Sequence, residues 1–176
     1  GVHKPITDIS SGNSLPLALS RQYLDYVDGH AYWDLGSGKD HAVLHNVNPN
    51  QGMWKTQLYA GSSRLFGSPF VMGEYNMVYP VPYAAYMRPA NAAIAGLQNW
   101  SGIFSYGLQT SPGKGSDIIP QPSSGVHSFN PMIMLTERIG SMIFRHGGVK
   151  KSDIIIPYVV TKEYIMAKLG IDGAPR

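Results

Sequence analysis

The sequence predicts an α/β fold built from parallel βαβ units. Short apolar runs of strand character alternate along the chain with stretches of helical spacing. Long polar loops follow the strand candidates, whereas the segments leading into them are brief: Asp25, Ser68-Pro69 and Ser101-Gly102. Twenty glycines and 13 prolines in 176 residues suit a loop-rich protein and rule out a coiled coil. Loops at the carboxyl ends of strands are where a (β/α) barrel carries its chemistry. A doubly wound sheet obeys a similar rule, so the pattern leaves both architectures open.

The elements follow in order. Residues 2–7 form a short extended candidate that ends at Asp8-Ile9-Ser10-Ser11-Gly12-Asn13, a strong loop signal. Residues 15–24 suit a short helix, with Ser14 as N-cap and Pro16 in the first turn. Residues 26–32 read as a strand emptying into a long loop rich in Gly, Asn, Ser and His, which runs to about Gly67. Residues 70–75 are the next strand, bounded by Pro69 and Asn76. Residues 82–100 have helical spacing and several alanines, with a stop near Ser101-Gly102. Residues 103–106 are a third buried-strand candidate, followed by a long loop through Ser124. Residues 131–144 form an amphipathic helix behind Asn130 as N-cap, residues 153–160 a β-rich run interrupted by Pro157, and Thr161 caps a last short helix.

A hydrophobic content of 43% and a charged content of 14% give a chain that can bury a core and is too apolar for disorder. It has no cysteine, which excludes disulfides, zinc-thiolate sites and thiol nucleophiles and leaves the redox compartment undetermined. No apolar run approaches the roughly 18 residues of a membrane span, so no membrane partner is expected. Gly1-Val2-His3-Lys4-Pro5 lacks the basic and apolar regions of a signal peptide. The net charge of +3 comes from scattered residues, with a modest cluster at Arg145 to Lys151. A nucleic-acid partner is therefore not expected. The 11 tyrosines, 5 phenylalanines and 3 tryptophans often stand beside glycine, proline or asparagine. Aromatics so placed either pack beneath loops or stack on a ligand such as a sugar.

Several motifs are absent. Gly36-Ser37-Gly38 lacks the third glycine of a dinucleotide fingerprint. Gly107 to Gly113 has the wrong spacing for a P-loop, and Lys114 is followed by glycine. No nucleophile elbow is present. His41 and His45 are four apart, but no glutamate lies between them and no third ligand is evident. A solvated loop or helix face accounts for them better than a metal site. No metal and no cofactor are expected.

The chain has three glutamates. Glu137 and Glu163 fall on helices, where a solvated face is the default. Glu74 stands at the carboxyl end of an apolar strand, where a carboxylate is costly unless it faces a polar cleft or an ion-pair partner.

Around it lies a resemblance. Phe70-Val71-Met72-Gly73-Glu74-Tyr75-Asn76 resembles the seventh strand of the clan A glycoside hydrolases, the cellulase-like (β/α)8 retaining enzymes. Asp28-Gly29-His30-Ala31-Tyr32-Trp33 resembles their sixth-strand H-x-Y element. Leu97-Gln98-Asn99-Trp100-Ser101-Gly102-Ile103-Phe104-Ser105-Tyr106 resembles the helix leading into the eighth strand, and Pro5-Ile6-Thr7 fits the fifth. The resemblance implies half of a (β/α)8 TIM barrel, strands five to eight, over residues 1–150. Residues 151–176 would be an exit towards an ancillary β-domain. It implies a retaining glycoside hydrolase acting on β-linked oligo- or polysaccharides, with Glu74 as nucleophile, Tyr32 orienting it and His30 in the catalytic subsite. Trp33, Asn76, Tyr106 and Trp54 would line the sugar site. Trp54 and Tyr79 lie in following loops, where packing is an equal use. Arg88 and Arg145 read as helix-surface or loop-anchoring residues.

The family carries its acid/base glutamate after an asparagine at the end of the fourth strand, and this chain has no Asn-Glu pair. Asp8, Asp28 and Asp34 lie near strand ends but are poor substitutes. Four strands cannot close a barrel whose interior needs eight. The expectation is therefore a partner: an amino-terminal half-barrel, from the same protein or a separate chain, or self-association. The alternative reading is a non-catalytic glycan-binding or interaction module that keeps a barrel-type cleft. An unrelated α/β domain with Glu74 in an ion pair is the third.

Overall fold

The computed structural model describes residues 3–8, 14–33, 60–77, 82–107 and 131–169, together with the single positions Asn48, Gln51 and Leu58. Among them the fold is mixed α/β. Strands β1 (Val27–Trp33), β2 (Phe70–Met77) and β3 (Gly102–Ser105) form a parallel three-stranded sheet in the order β1-β2-β3. The helices are α1 (Leu15–Arg21), α2 (Ala84–Leu97), α3 (Pro131–Arg145) and α4 (Lys162–Leu169). The strand order advances in one direction without a reversal. An arc of a barrel and one half of a doubly wound sheet share this property.

The two faces of the sheet differ. Along β1, Val27, Gly29, Ala31 and Trp33 are buried, whereas Asp28, His30 and Tyr32 between them are half-buried. This is the period-two alternation of a strand with one covered face. Phe70, Met72, Tyr75 and Met77 of β2 join the covered side and meet Ala84, Met87 and Ala95 of α2, Ile133 of α3 and Trp100 in one core. The Phe70 and Trp100 rings stand edge to face, 4.9 Å between centroids. Each such large side chain contributes roughly 1.5–3 kcal/mol of burial. The covered face therefore carries much of the fold's stability, and helices α2 and α3 leave the other face uncovered.

Helix α2 lies against β2 and β3 and packs chiefly on α3. Gly140 makes that approach possible, since a Cβ there would stand 3.0 Å from the Arg88 carbonyl oxygen. Residues 82–100 were expected to stay helical up to Ser101-Gly102, but α2 stops earlier. Asn99 adopts φ 56°, with Trp100 N–H donating to Ala95 O (2.8 Å) and Asn99 N–H to Gly96 O (3.1 Å). This is a Schellman stop with asparagine in the left-handed position. Gly147 (φ 67°) ends α3 in the same way, through Gly148 N–H to Ile143 O at 2.8 Å. Thr161 caps α4 as expected, its Oγ1 accepting the Tyr164 N–H at 3.1 Å. Ser14 precedes α1 in extended backbone but makes no side-chain cap bond. Asn130 lies outside the described residues.

Two expected strands, at residues 2–7 and 153–160, are not formed among the described residues. Within residues 2–7, Ile6 exchanges one backbone bond with Asp25 (Asp25 N–H to Ile6 O, 3.0 Å). Its own N–H donates to the Asp25 carboxylate at 2.8 Å, and Thr7 Oγ1 donates to Tyr26 O. The segment is tethered beside β1 without a ladder, and Pro5 has no N–H to extend one. Residues 153–160 have Pro157 in the middle and pair with no sheet edge. Ile154, Ile156, Tyr158 and Val159 are all more than three-quarters exposed. The chain then returns through α4, whose buried Ile165 belongs to a helix that contacts α1.

Candidate functional site

The open face of the sheet gathers polar side chains because β1 carries Asp28, His30 and Tyr32 at alternate positions. On β2 the arrangement depends on an irregularity. Gly29 pairs with Met72 but His30 pairs with Glu74, so Gly73 is an extra residue, a β-bulge. Before it, Phe70 and Met72 face the helices. After it, Tyr75 and Met77 do, and Glu74 is turned to the open side. Without the bulge Glu74 would share the buried side with Met72.

On that face Tyr32 donates its hydroxyl to Glu74 Oε2. The Nδ1 atom of His30 stands 3.4 Å from the same oxygen. Among the described residues Oε1 takes no hydrogen bond, and the Glu74 side chain is 34% exposed. Burial raises the Tyr32 phenol well above its usual range, and the hydrogen bond and negative charge of Glu74 raise it further. The hydroxyl therefore stays a donor across the ordinary pH range. Tyr106 is half exposed and stands edge to face with Tyr32, centroids 6.1 Å apart.

Behind the site, His30 Nε2 lies 3.1 Å from Asp28 Oδ2, and Gly73 N–H donates to Asp28 Oδ1 at 2.9 Å. With both oxygens engaged, Asp28 is not a spare proton donor. Asp8 is likewise committed, to the buried Arg21 at 2.8 Å.

The structure thus brings together Glu74, Tyr32, His30 and Tyr106. It does not bring Trp33 to them. Trp33 is 7% exposed and sits in the core on the opposite face, because it follows Tyr32 by one residue in a strand. Asn76 is fully buried; it donates to Tyr106 O (2.8 Å) and accepts from Met77 N–H, which makes it a brace rather than a sugar contact. Trp54, Tyr79, Asp34, His41 and His45 lie outside the described residues.

Sequence reasoning also missed a buried network. Arg88, expected as a helix-surface or loop-anchoring residue, is fully buried. It donates through Nε to Glu137 Oε2 at 2.7 Å, and through its other nitrogens to Ala84 O, Asn76 Oδ1 and Ser105 Oγ. Glu137, expected on a solvated face, also accepts from the Tyr75 hydroxyl. Arg145 and Glu163 are exposed, as helix-surface residues.

A separate hollow of about 720 Å³ lies at the amino ends of the strands, bordered by Lys4, Asp25, Tyr26, Val71 and Phe104. It includes none of the residues around Glu74.

No family model, curated protein or solved structure matches the chain.

Proposed function

We propose that the chain is the nucleophile-bearing half of a retaining β-glycosidase, its sheet an arc of a (β/α)8 barrel corresponding to strands six to eight. The observation that carries the reading is the pair of contacts on one oxygen of Glu74. The Tyr32 hydroxyl and the His30 ring both address Oε2, on the sheet face the helices leave uncovered. The resemblance of the Met72-Gly73-Glu74-Tyr75 and His30-Ala31-Tyr32 segments to clan A glycoside hydrolases supports it.

In this mechanism an electron pair of the Glu74 carboxylate attacks the anomeric carbon. The bond from that carbon to the leaving oxygen breaks, and the leaving oxygen takes a proton from a second carboxyl group. Water then attacks the glycosyl ester, gives its proton to the second group, and Glu74 departs as carboxylate. The two carboxyls need a separation of about 5–5.5 Å. Asp28 is already tied to Gly73 and His30, so the acid/base group is assigned to an amino-terminal half-barrel. Apolar surface still open on this chain supports such an association. Phe104 (59% exposed) adjoins the open face, and Met132, Leu135, Ile139 and Met142 form an uncovered stripe on α3. The half-exposed Tyr106 ring is the stacking surface for a sugar.

The test is covalent trapping with dinitrophenyl fluoro-β-glycosides, whose leaving group departs without protonation. Peptide mapping should place the adduct on Glu74; an adduct on another residue rejects the assignment. Glu74→Gln should abolish trapping while retaining glycan binding. No adduct on wild type or variant, with equal glycan binding by both, would instead identify a glycan-binding module.

A further inference from the structure

We infer that Asp28 is a positioning residue for Glu74, clamping the bulge that turns Glu74 to the open face and holding the imidazole that addresses it. The inference rests on the reading of Glu74 as nucleophile. A bulge leaves one N–H outside the ladder, and here that donor belongs to Gly73, which gives it to Asp28 Oδ1 at 2.9 Å. The other carboxylate oxygen faces His30 Nε2 at 3.1 Å, which leaves Nδ1 turned towards Glu74. One side chain of β1 thus fixes both the backbone that aims Glu74 and a ring beside it.

The fit is close. A Cβ at residue 73 would fall 2.3 Å from Asp28 Oδ1 and 2.7 Å from Oδ2, so the clamp and the missing side chain occupy one space. Asp28 is 16% exposed and takes no part in the core. Its carboxylate is therefore spent on geometry.

Two measurements on the chain in its complete assembly test this: amide hydrogen exchange at Gly73, and the rate at which a dinitrophenyl fluoro-β-glycoside labels Glu74. Asp28→Ala should speed Gly73 exchange by roughly tenfold or more while Met72 and Met77 stay protected. It should slow labelling about a hundredfold, the scale of a small misplacement of a reacting group. Asp28→Asn keeps an oxygen for Gly73 but presents an amide to His30. It should restore Gly73 protection and leave labelling about tenfold slow. Gly73→Ala displaces Asp28 and should match Asp28→Ala in labelling, with the double variant no slower than either single one.

Additive losses in the double variant, or unchanged labelling in Asp28→Ala, overturn the inference. So does loss of protection at Met72 and Met77 along with Gly73, because Asp28 would then merely hold the fold. Should Asp28→Ala not fold, the Asn and Gly73→Ala variants decide by the same criteria. Wild-type labelling away from Glu74 removes only the reading of Glu74 as nucleophile, and Gly73 exchange still decides the clamp.

Discussion

Arg88 and Glu137 join α2 to α3 through an ion pair of 2.7 Å whose guanidinium is wholly buried. The same guanidinium reaches Asn76 on β2 and Ser105 on β3, so a single cation ties two helices to the two strands that flank the site. Replacing it with Met leaves Glu137 beside the Tyr75 hydroxyl without its cation. Removing one partner of a buried pair typically costs 3–5 kcal/mol; with Glu137 partly exposed, we expect Arg88→Met to cost about 3 kcal/mol in denaturant unfolding. Glu137→Gln keeps an acceptor but leaves the wholly buried guanidinium without its counter-charge, so it should cost at least as much. A loss under about 1 kcal/mol for Arg88→Met would show that the pair behaves as a surface pair.

Tyr32→Phe removes the donor to Glu74 without opening a cavity. A hydrogen bond to a charged group is worth about 1.5–3 kcal/mol. Because Tyr32 stands on the face outside the core, that loss should fall on chemistry rather than on folding. Labelling of Glu74 should slow roughly tenfold to a hundredfold, at about 1.4 kcal/mol per decade. The unfolding midpoint should move little. A large midpoint shift with unchanged labelling would make the bond a structural one.

The phenols of Tyr32 and Tyr75 are both raised, by burial first and then by Glu74 and Glu137 respectively. In the unfolded chain they ionise near about 10. Ionisation of these phenols therefore leaves folding stability unchanged below that pH and lowers it progressively as pH rises above it towards the folded values. Spectrophotometric titration of tyrosinate should find Tyr32→Phe and Tyr75→Phe each missing a late-titrating group. Their alkaline unfolding should begin at higher pH than wild type relative to their own neutral stability. Ordinary titration of both phenols in the folded protein would contradict this.

Gly140 lets α3 lie against the backbone of α2, where a Cβ would meet Arg88 O at 3.0 Å. Alanine offsets part of that crowding through its better helix propensity, about 1 kcal/mol. Valine cannot, and overpacking of this kind costs about 1–3 kcal/mol. Gly140→Val should therefore destabilise clearly and Gly140→Ala only slightly, as read from thermal midpoints. Equal losses would mean that conformation rather than contact decides the position.

Much of the fold was legible. The strands expected at 26–32, 70–75 and 103–106 are found at Val27–Trp33, Phe70–Met77 and Gly102–Ser105, because strand-forming residues bounded by turn residues suffice to place them. Residues 2–7 and 153–160 looked similar, but Pro5 and Pro157 deny them ladder donors, and nothing local says whether an edge awaits them. In the site, Asp28, His30 and Tyr32 stand two apart and share a face by strand periodicity alone. The same periodicity sends Trp33 to the core, which its proximity to Tyr32 obscured. Glycine within a strand is a bulge signal, and Gly73 went unread as one. Which way the bulge turns Glu74 depends on Asp28, 45 residues earlier. The Arg88–Glu137 pair spans 49 residues and two helices, and no local pattern announces it.

Helices back one side of the sheet, and Glu74 projects from the other. The carboxylate is anchored like a fixture on a wall: among the described residues, what holds it is behind or beside it. If a second half-barrel stands opposite, as proposed, the shape of the space before the carboxylate is set by that part and not by the mounting. Exchanging it would then change what is received there and leave the mounting untouched.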